Sequence, residues 1–354
     1  MLNTLSGSVT KQANIRRKAE QLEIALNKSV EFKEITTGLD DYRFIHQALP
    51  DVDLADIDLS SLLFGKRLNA PIMISPMVGG IEPATYINRN LALAAQAMGI
   101  AMGVGSQRLA IEDYTVAQTY EVRDIAPDIL LFANLGAIQL NYGYGVAECR
   151  RAVEMIDADA LILHLNPLQE ALQNDGNTNF AGILRKVEQV CYELQIPVIV
   201  KEVGCGISET VARKLAEIGV AGIDVAGAGG TSWSEVERHR THTDTGNNIA
   251  AKFTSWGIPT VESIERAKRG ANGLPLIASG GIRHGLDVAK VIALGADAGG
   301  IATPLLKAAS ISAEAVMVTL QEIIEVLRIS MFCIGAANLK ELKNSPLLER
   351  KRED

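Results

Sequence analysis

Two glycine-bearing turns, one helix apart between Leu274 and Leu305, constrain this chain more than any other feature. Leu276, Ile277 and Ala278 form a short apolar run that stops at Ser279-Gly280-Gly281, as a buried strand ending in a tight loop does. His284 to Leu294 carries Leu286, Val288, Ala289, Ile292 and Ala293 at helical spacing, and Gly295-Ala296-Asp297 breaks it. A second short strand reaches Ala302, and Thr303-Pro304 opens another helix. Two neighbouring parallel strands then end in loops whose backbone N–H groups can converge on one anion, with Arg283 as a cation between them.

The rest of the chain repeats this alternation. From Pro71 onward the strand candidates are 72–75, 100–104, 129–134, 160–165, 198–201, 222–225, 276–278 and 299–302. Helical spacing fills the gaps at 91–98, 146–156, 183–194 and 209–218. Eight strands alternating with helices predict an α/β fold, a closed (β/α)8 barrel, in which a phosphate site follows strands seven and eight. A dinucleotide-binding sheet would carry its glycine loop after the first strand instead. The barrel occupies residues 71–327; residues 1–70 form an N-terminal extension capping it and supplying contacts, and 328–354 a charged tail that frays after Lys340. Residues 227–248, polar and glycine-rich within a long connection, are expected to be a lid or partly disordered.

Composition narrows the function. A net charge of −8 argues against nucleic acid, so an anionic ligand must meet local cations. No apolar run approaches the ~20 residues of a membrane span, and no signal peptide opens the chain. Cys149, Cys191, Cys205 and Cys333 lack metal-ligand spacing, and together these features predict a cytoplasmic protein.

Polar residues at the C-terminal ends of barrel strands face the site. Here they are Ser75-Pro76-Met77-Val78, Ser106-Gln107-Arg108, Asn134, and His164 with Asn166 and Gln169-Glu170. Lys201 and Thr231 follow. Taken singly, Asn134 or Ser106 reads as a turn former and His164 as a hydrogen-bonded core residue. Lys201 directly follows the apolar Pro197-Val198-Ile199-Val200, and a buried cation there needs an anionic or strongly accepting partner. A flavin fits: its pyrimidine edge would accept from Lys201 and Asn134, and its phosphate would lie on the Gly281 and Ala302 loops.

With these residues in view, the chain resembles the type 2 isopentenyl-diphosphate isomerases, FMN-dependent barrel enzymes of isoprenoid synthesis. The motifs that carry the resemblance begin with Arg17-Lys18, Met77 to Gly80, Gly105 to Arg108 and His164 to Asn166 with Gln169-Glu170. Lys201 to Gly204, Gly229 to Trp233, Trp256 to Thr260 and Ala278 to Arg283 complete them. The resemblance implies FMN contacts from Pro76, Met77, Val78, Ser106, Asn134, Lys201 and Thr231, with the phosphate on Gly281, Ile282, Arg283, Ala302 and Thr303. It implies a substrate diphosphate on Arg17, Lys18, Ser106, Gln107 and Arg108, with His164 and Asn166 nearby. Gln169 would approach the isoprene unit as the catalytic side chain, and Glu170 would hold Mg²⁺. On residues alone Arg17-Lys18 reads as a solvated helix face; the resemblance reverses that.

The implied reaction turns isopentenyl into dimethylallyl diphosphate: a proton is added to the terminal CH2 and another lost from C2, with no net redox. FMN reduced by NAD(P)H would be the acid and base, and a homo-oligomer of four or more subunits is expected. Three departures from the family pattern fall in binding positions: Gln21 where His is usual, Val78 where Thr is usual, and Ala226 where Ser is common. They predict changed affinity, not lost activity. Two rival readings are an FMN-dependent 2-hydroxy-acid oxidoreductase and a non-catalytic FMN- or phosphate-binding barrel. The first wants a His base with an Arg in the strand-six loop, which here reads AGAGGTSW, with His239 and His242 further on; the second has no use for Gln169-Glu170 or Arg17-Lys18.

Overall fold

Eight short parallel strands close on one another. They are β1 (Ile72–Ile74), β2 (Ala101–Gly103), β3 (Leu131–Gly136), β4 (Ala160–Leu165), β5 (Val198–Glu202), β6 (Gly222–Asp224), β7 (Leu276–Ala278) and β8 (Ala298–Ile301). The computed structural model describes residues 2–351, with side chains from residue 12 onward. Each strand pairs with the next, and β8 returns to β1 through Gly299–Ile72, Gly300–Met73 and Ile301–Ile74. The predicted barrel is therefore the observed one. The strands read as unbroken apolar runs because a barrel strand is buried on both faces.

Two packed layers follow from that double burial. Outward-facing Ile72, Ile74, Leu131, Leu161, Leu163, Val198 and Val200 pack under the surrounding helices. Inward-facing Met73, Ala101, Phe132, Ala160, Ile162, Ile199, Ile277 and Ala298 fill the barrel. A hairpin of Ser61–Leu63 and Lys66–Leu68 plugs its N-terminal mouth with Leu63, Phe64 and Leu68. Phe64 meets Phe132 edge-on, with centroids 5.9 Å apart.

Helices fall where the spacing puts them, with two differences at their ends. Val146–Ile156 matches its expected span; Glu82–Met98 starts earlier than expected because Tyr86 to Asn90 interrupts the apolar pattern while Pro83 suits a first turn. Apolar spacing over Ile15 to Ala25 marks an N-terminal helix; the observed one is longer, Leu2–Asn27, and crosses the C-terminal mouth.

Two expectations are corrected. Residues 227–248 are not partly disordered: Trp233–Arg240 and Asp244–Ala251 are helices, started by Ser232 and Thr243, whose hydroxyls accept from Glu235 N and Gly246 N. Ser232 with Glu235 three residues on is a helix-start pattern that the glycine content obscured. Nor does the chain fray after Lys340. The helix Ala313–Phe332 runs across the expected boundary at 327, and Leu348–Arg350 pairs antiparallel with Tyr42–Phe44. The last three residues of the expected tail lie outside the described residues. Among the described residues no helix is long and apolar enough to cross a membrane.

Candidate active site

The C-terminal ends of all eight strands, roofed by the N-terminal helix, enclose one cavity. Of the expected site residues, Arg17, Lys18, Pro76, Met77, Val78, Ser106, Arg108, Asn134, His164, Asn166, Gln169 and Glu170 line it. So do Lys201, Thr231, Gly281, Ile282, Arg283, Ala302 and Thr303. Gln107 does not: fully buried, its side chain accepts from Asn134 N (2.9 Å) and donates to Ala152 O (2.8 Å). It braces β3 from behind rather than facing a ligand. Nothing in the sequence separates it from its neighbours Ser106 and Arg108, since the direction of a loop side chain follows no period.

At one end of the cavity the β6, β7 and β8 loops meet. Gly281 has φ +74°, and a Cβ there would strike Thr37 and the Gly229 carbonyl; one on Gly230 would strike Gly281 N. Only glycine allows these backbones to approach so closely, leaving a lobe rimmed by N–H groups. Thr231 and Thr303 hydroxyls lie 3.2 Å apart across it. Arg283 stands at the rim, held by Glu31 at 2.8 Å, with both side chains about half exposed.

Three cations crowd the opposite wall. Lys18 Nζ donates to Gly79 O (2.8 Å), Ser106 O (2.7 Å) and Tyr120 Oη (3.0 Å), stapling the N-terminal helix to β1 and β2. Burial, then the charges of Arg17 and Arg108, pull its pKa down to about 7; its three acceptors oppose that fall. Arg17 donates to Gln173 Oε1 (3.0 Å), and its pKa is lowered by burial and by Arg108. Arg108 pairs with Glu112 (2.8 Å) and donates to Asn177 Oδ1 (3.1 Å). Like charges held together out of water cost free energy that only an anion relieves.

Beside them, β4 ends in the short helix Pro167–Leu172, with Asn166 before it. Pro167 suits the first turn, so Gln169 and Glu170 turn back toward Asn166, whose Nδ2 donates to Gln169 Oε1 (3.0 Å) and Glu170 Oε1 (3.1 Å). Glu170 Oε2 accepts from Asn177 N at 2.5 Å. Asn166 Oδ1 and Ser75 Oγ are buried with no hydrogen-bond partner among the described residues. Both residues line the cavity, so these are places for a ligand.

The floor is polar. Asn134 Nδ2 donates to Val104 O (3.0 Å), which orients its amide so that Oδ1 faces His164 Nδ1 at 2.9 Å. That network assigns the ring proton to Nδ1 and leaves Nε2 an acceptor. Burial first, then Lys201 and Lys18, pull His164 down to about 4, so the ring is neutral at pH 7. Lys201 does not wait for a ligand as its anionic partner: its Nζ is 2.8 Å from Asp224 Oδ2 and donates to Ser279 Oγ at 2.9 Å. Sequence reasoning also missed Gln173 and Asn177, which hold the wall from a loop beyond the helix. It missed Tyr120 as well, which lies 102 residues from its partner Lys18.

The three departures have structural outcomes. Gln21 lines the cavity but donates to Glu237 Oε1 (3.0 Å), tying the N-terminal helix to the helix after β6. Burial raises Glu237 above the usual carboxylate range. Val78 turns its carbonyl to Gly105 N (3.0 Å), and Ala226 adopts φ +37° at the β6 end.

A glycine-rimmed lobe beside a polar barrel floor, with unpartnered Ser75 and Asn166 oxygens in the same cavity, is the ground plan of an FMN-binding (β/α)8 barrel. The family described as FMN-dependent dehydrogenase matches residues 12–123 and 164–349. Solved structures share the fold: a mandelate oxidase variant with an FMN monooxide adduct (TM-score 0.62, 20% identity, 94% of this chain and 92% of that one). Another is a flavocytochrome b2 variant with pyruvate bound (TM-score 0.65, 17%, 93% and 82%). Sequence relatives are much nearer. "Isopentenyl-diphosphate delta-isomerase" of Nostoc sp. (strain PCC 7120) is 52% identical over 94% of this chain and 95% of its own length. The protein of the same name from Stutzerimonas stutzeri (strain A1501) is 50% identical over 96% and 99%. The chain belongs to the FMN-dependent isopentenyl-diphosphate delta-isomerases.

Proposed function

We propose that this enzyme converts isopentenyl diphosphate to dimethylallyl diphosphate with reduced FMN and Mg²⁺, the flavin being reduced by NAD(P)H. One observation carries the reading: Arg17, Lys18 and Arg108 share a cavity wall with Asn166, Gln169 and Glu170, facing the glycine-rimmed lobe. Reduced FMN, when bound, supplies the proton that reaches the terminal alkene carbon and the base that takes one from C2. The protein's own groups bind and orient. The Gly281 to Arg283 and Ala302-Thr303 loops take the flavin phosphate, and Lys201 and Asn134 its polar edge. The three cations take the diphosphate, whose charge relieves their mutual repulsion. Glu170 holds Mg²⁺, for which one carboxylate with phosphate oxygens suffices, and the unpartnered Asn166 Oδ1 suits the same hard-oxygen environment. Neutral His164 offers Nε2 as an acceptor, and Gln169 aligns the hydrocarbon.

The 2-hydroxy-acid reading finds no support in the site. His164 is the one histidine lining the cavity among the described residues, and His239 and His242 are exposed outside it. Turnover of isopentenyl diphosphate by the protein with pre-reduced FMN and Mg²⁺, beside lactate and glycolate oxidation, tests the proposal. Oxidation of either acid without isomerisation overturns it, and FMN binding with neither activity leaves only a flavin-binding barrel. Assembly into a homo-oligomer of four or more subunits belongs to the same reading, and light scattering of the eluted protein tests it.

A further inference from the structure

Asp224 is fully buried at the end of β6, behind the cavity and not on its lining. Its two oxygens are engaged separately. Oδ2 lies 2.8 Å from Lys201 Nζ, while Oδ1 accepts from Ser279 Oγ at 2.6 Å and from Ala226 N at 3.3 Å. Ser279 in turn accepts from Lys201 at 2.9 Å, so carboxylate, hydroxyl and ammonium form a closed ring spanning the ends of β5, β6 and β7. Lys201 hydrogen-bonds Ser279 and forms an ion pair with Asp224, whose Oδ2 is buried with no hydrogen-bond partner among the described residues; an ammonium has three N–H groups, so Lys201, which lines the cavity, keeps donor capacity for a ligand. Lys201 itself is 7% exposed, and a cation so buried keeps its charge only beside a fixed anion.

We propose that Asp224 is a positioning residue that, with Ser279, holds Lys201 as a preformed cation beneath the flavin and thereby sets how many protons accompany flavin reduction. The inference rests on FMN occupying this cavity. Oxidised FMN is neutral and two-electron reduction with one proton leaves it an anion, so a lysine charged beforehand adds no proton of its own. Without Asp224, Lys201 faces a neutral flavin without its fixed partner, since burial pushes the adjacent Glu202 carboxyl up to about 7 and its Oε2 is already taken by three backbone N–H groups; when the flavin becomes an anion, Lys201 takes up a proton to match it.

The experiment counts protons taken up per flavin reduced, in weakly buffered solution, and follows the midpoint potential against pH. The FMN-loaded parent should take up one proton per two electrons. Asp224→Asn should take up two, doubling the slope of potential against pH, and Asp224→Asn with Lys201→Met should return to one. Asp224→Asn with the parent's count overturns the inference while leaving the FMN reading intact; a parent that binds no FMN overturns both. If Asp224→Asn does not fold, the parent is compared with Lys201→Met: both should take up one proton per flavin reduced, the variant at a lower potential. A parent that takes up two protons against one for Lys201→Met overturns the inference, because Lys201 would then be charged by the reduction and not before it.

Discussion

Gln169→Ala separates chemistry from structure in one substitution. Gln169 is 9% exposed, and the hydrogen bond recorded for its amide is that from Asn166 Nδ2 at 3.0 Å. Asn166 Nδ2 keeps Glu170 Oε1 at 3.1 Å after the truncation, so no buried donor is stranded. The stability cost is then that of one ordinary hydrogen bond, about 0.5–1.5 kcal/mol. In a chain of this length that lowers Tm by no more than about 2–3 °C. If Gln169 aligns the hydrocarbon only as the double bond moves, its loss falls on the transition state. kcat should then drop by about 10²–10⁴, equivalent to ~3–5 kcal/mol, while KM moves little. The assay is steady-state turnover of isopentenyl diphosphate with saturating pre-reduced FMN and excess Mg²⁺, beside a thermal melt and a Mg²⁺ titration. The Mg²⁺ midpoint should stay at the parent's value, because Glu170 keeps Asn166 and Asn177 as partners. A kcat within about twofold of the parent refutes the role, since a side chain that only packs moves rate that little.

Arg283→Ala should weaken FMN binding about tenfold, ~1.4 kcal/mol; the effect is modest because Arg283 is part-exposed and shared with Glu31, and Glu31→Ala should tighten binding instead. Fluorescence titration of the apoprotein checks both, and unchanged affinity in Arg283→Ala moves the phosphate elsewhere. Glu170→Gln should raise the Mg²⁺ needed for half-maximal turnover severalfold without loss of flavin absorbance, and an unchanged metal titration removes Glu170 as the ligand. Lys18 gives a pH test: with its pKa lowered to about 7 in the fold, the unfolded chain holds a proton that the folded one lacks from about pH 7 up to the ordinary lysine range. Stability should therefore rise with pH across that window, and Lys18→Met should flatten the rise in Tm. Inorganic diphosphate, which favours the ammonium, should bind at pH 8 with proton uptake that Lys18→Met abolishes, measured by calorimetry in two buffers.

The fold was legible because its signals are local. A strand buried on both faces must be an apolar run, and a loop returning to a helix must break it; 71–302 repeats that grammar eight times, each reading matching a barrel strand to within about two residues. What failed was judged on composition alone. Residues 227–248 read as a lid or partly disordered because glycine and polar residues dominate them, and the disorder failed because Ser232-x-x-Glu235 and Thr243 start helices there. The charged end read as frayed because pairing with Tyr42–Phe44 crosses some 300 residues of chain, and no local pattern reports a partner at that distance.

The same distinction runs through the site. Residues that touch the cavity sit at strand ends, a position the sequence exposes directly, so Asn134, His164, Gln169, Glu170 and Lys201 could be placed there from the strand pattern, while roles for His164, Gln169 and Glu170 came only from the family resemblance. Residues that hold them do not share a position; they share a contact. Asp224 answers Lys201 from the next strand, Ser279 answers both from the one after, and Tyr120 answers Lys18 across two loops. Each supporting group lies on a different element from the group it supports, so the spacing between them carries no period to read. The sequence nevertheless states the need: a lysine closing an apolar strand requires a counter-charge, and the reading filled that requirement with the flavin alone. In the folded chain Asp224 meets it first, in Gly222-Ile223-Asp224, where a carboxylate ends a strand with no loop to solvate it. An acidic residue closing one barrel strand and a basic residue closing its neighbour are therefore best read together, since in-register parallel pairing sets Lys201 opposite Asp224.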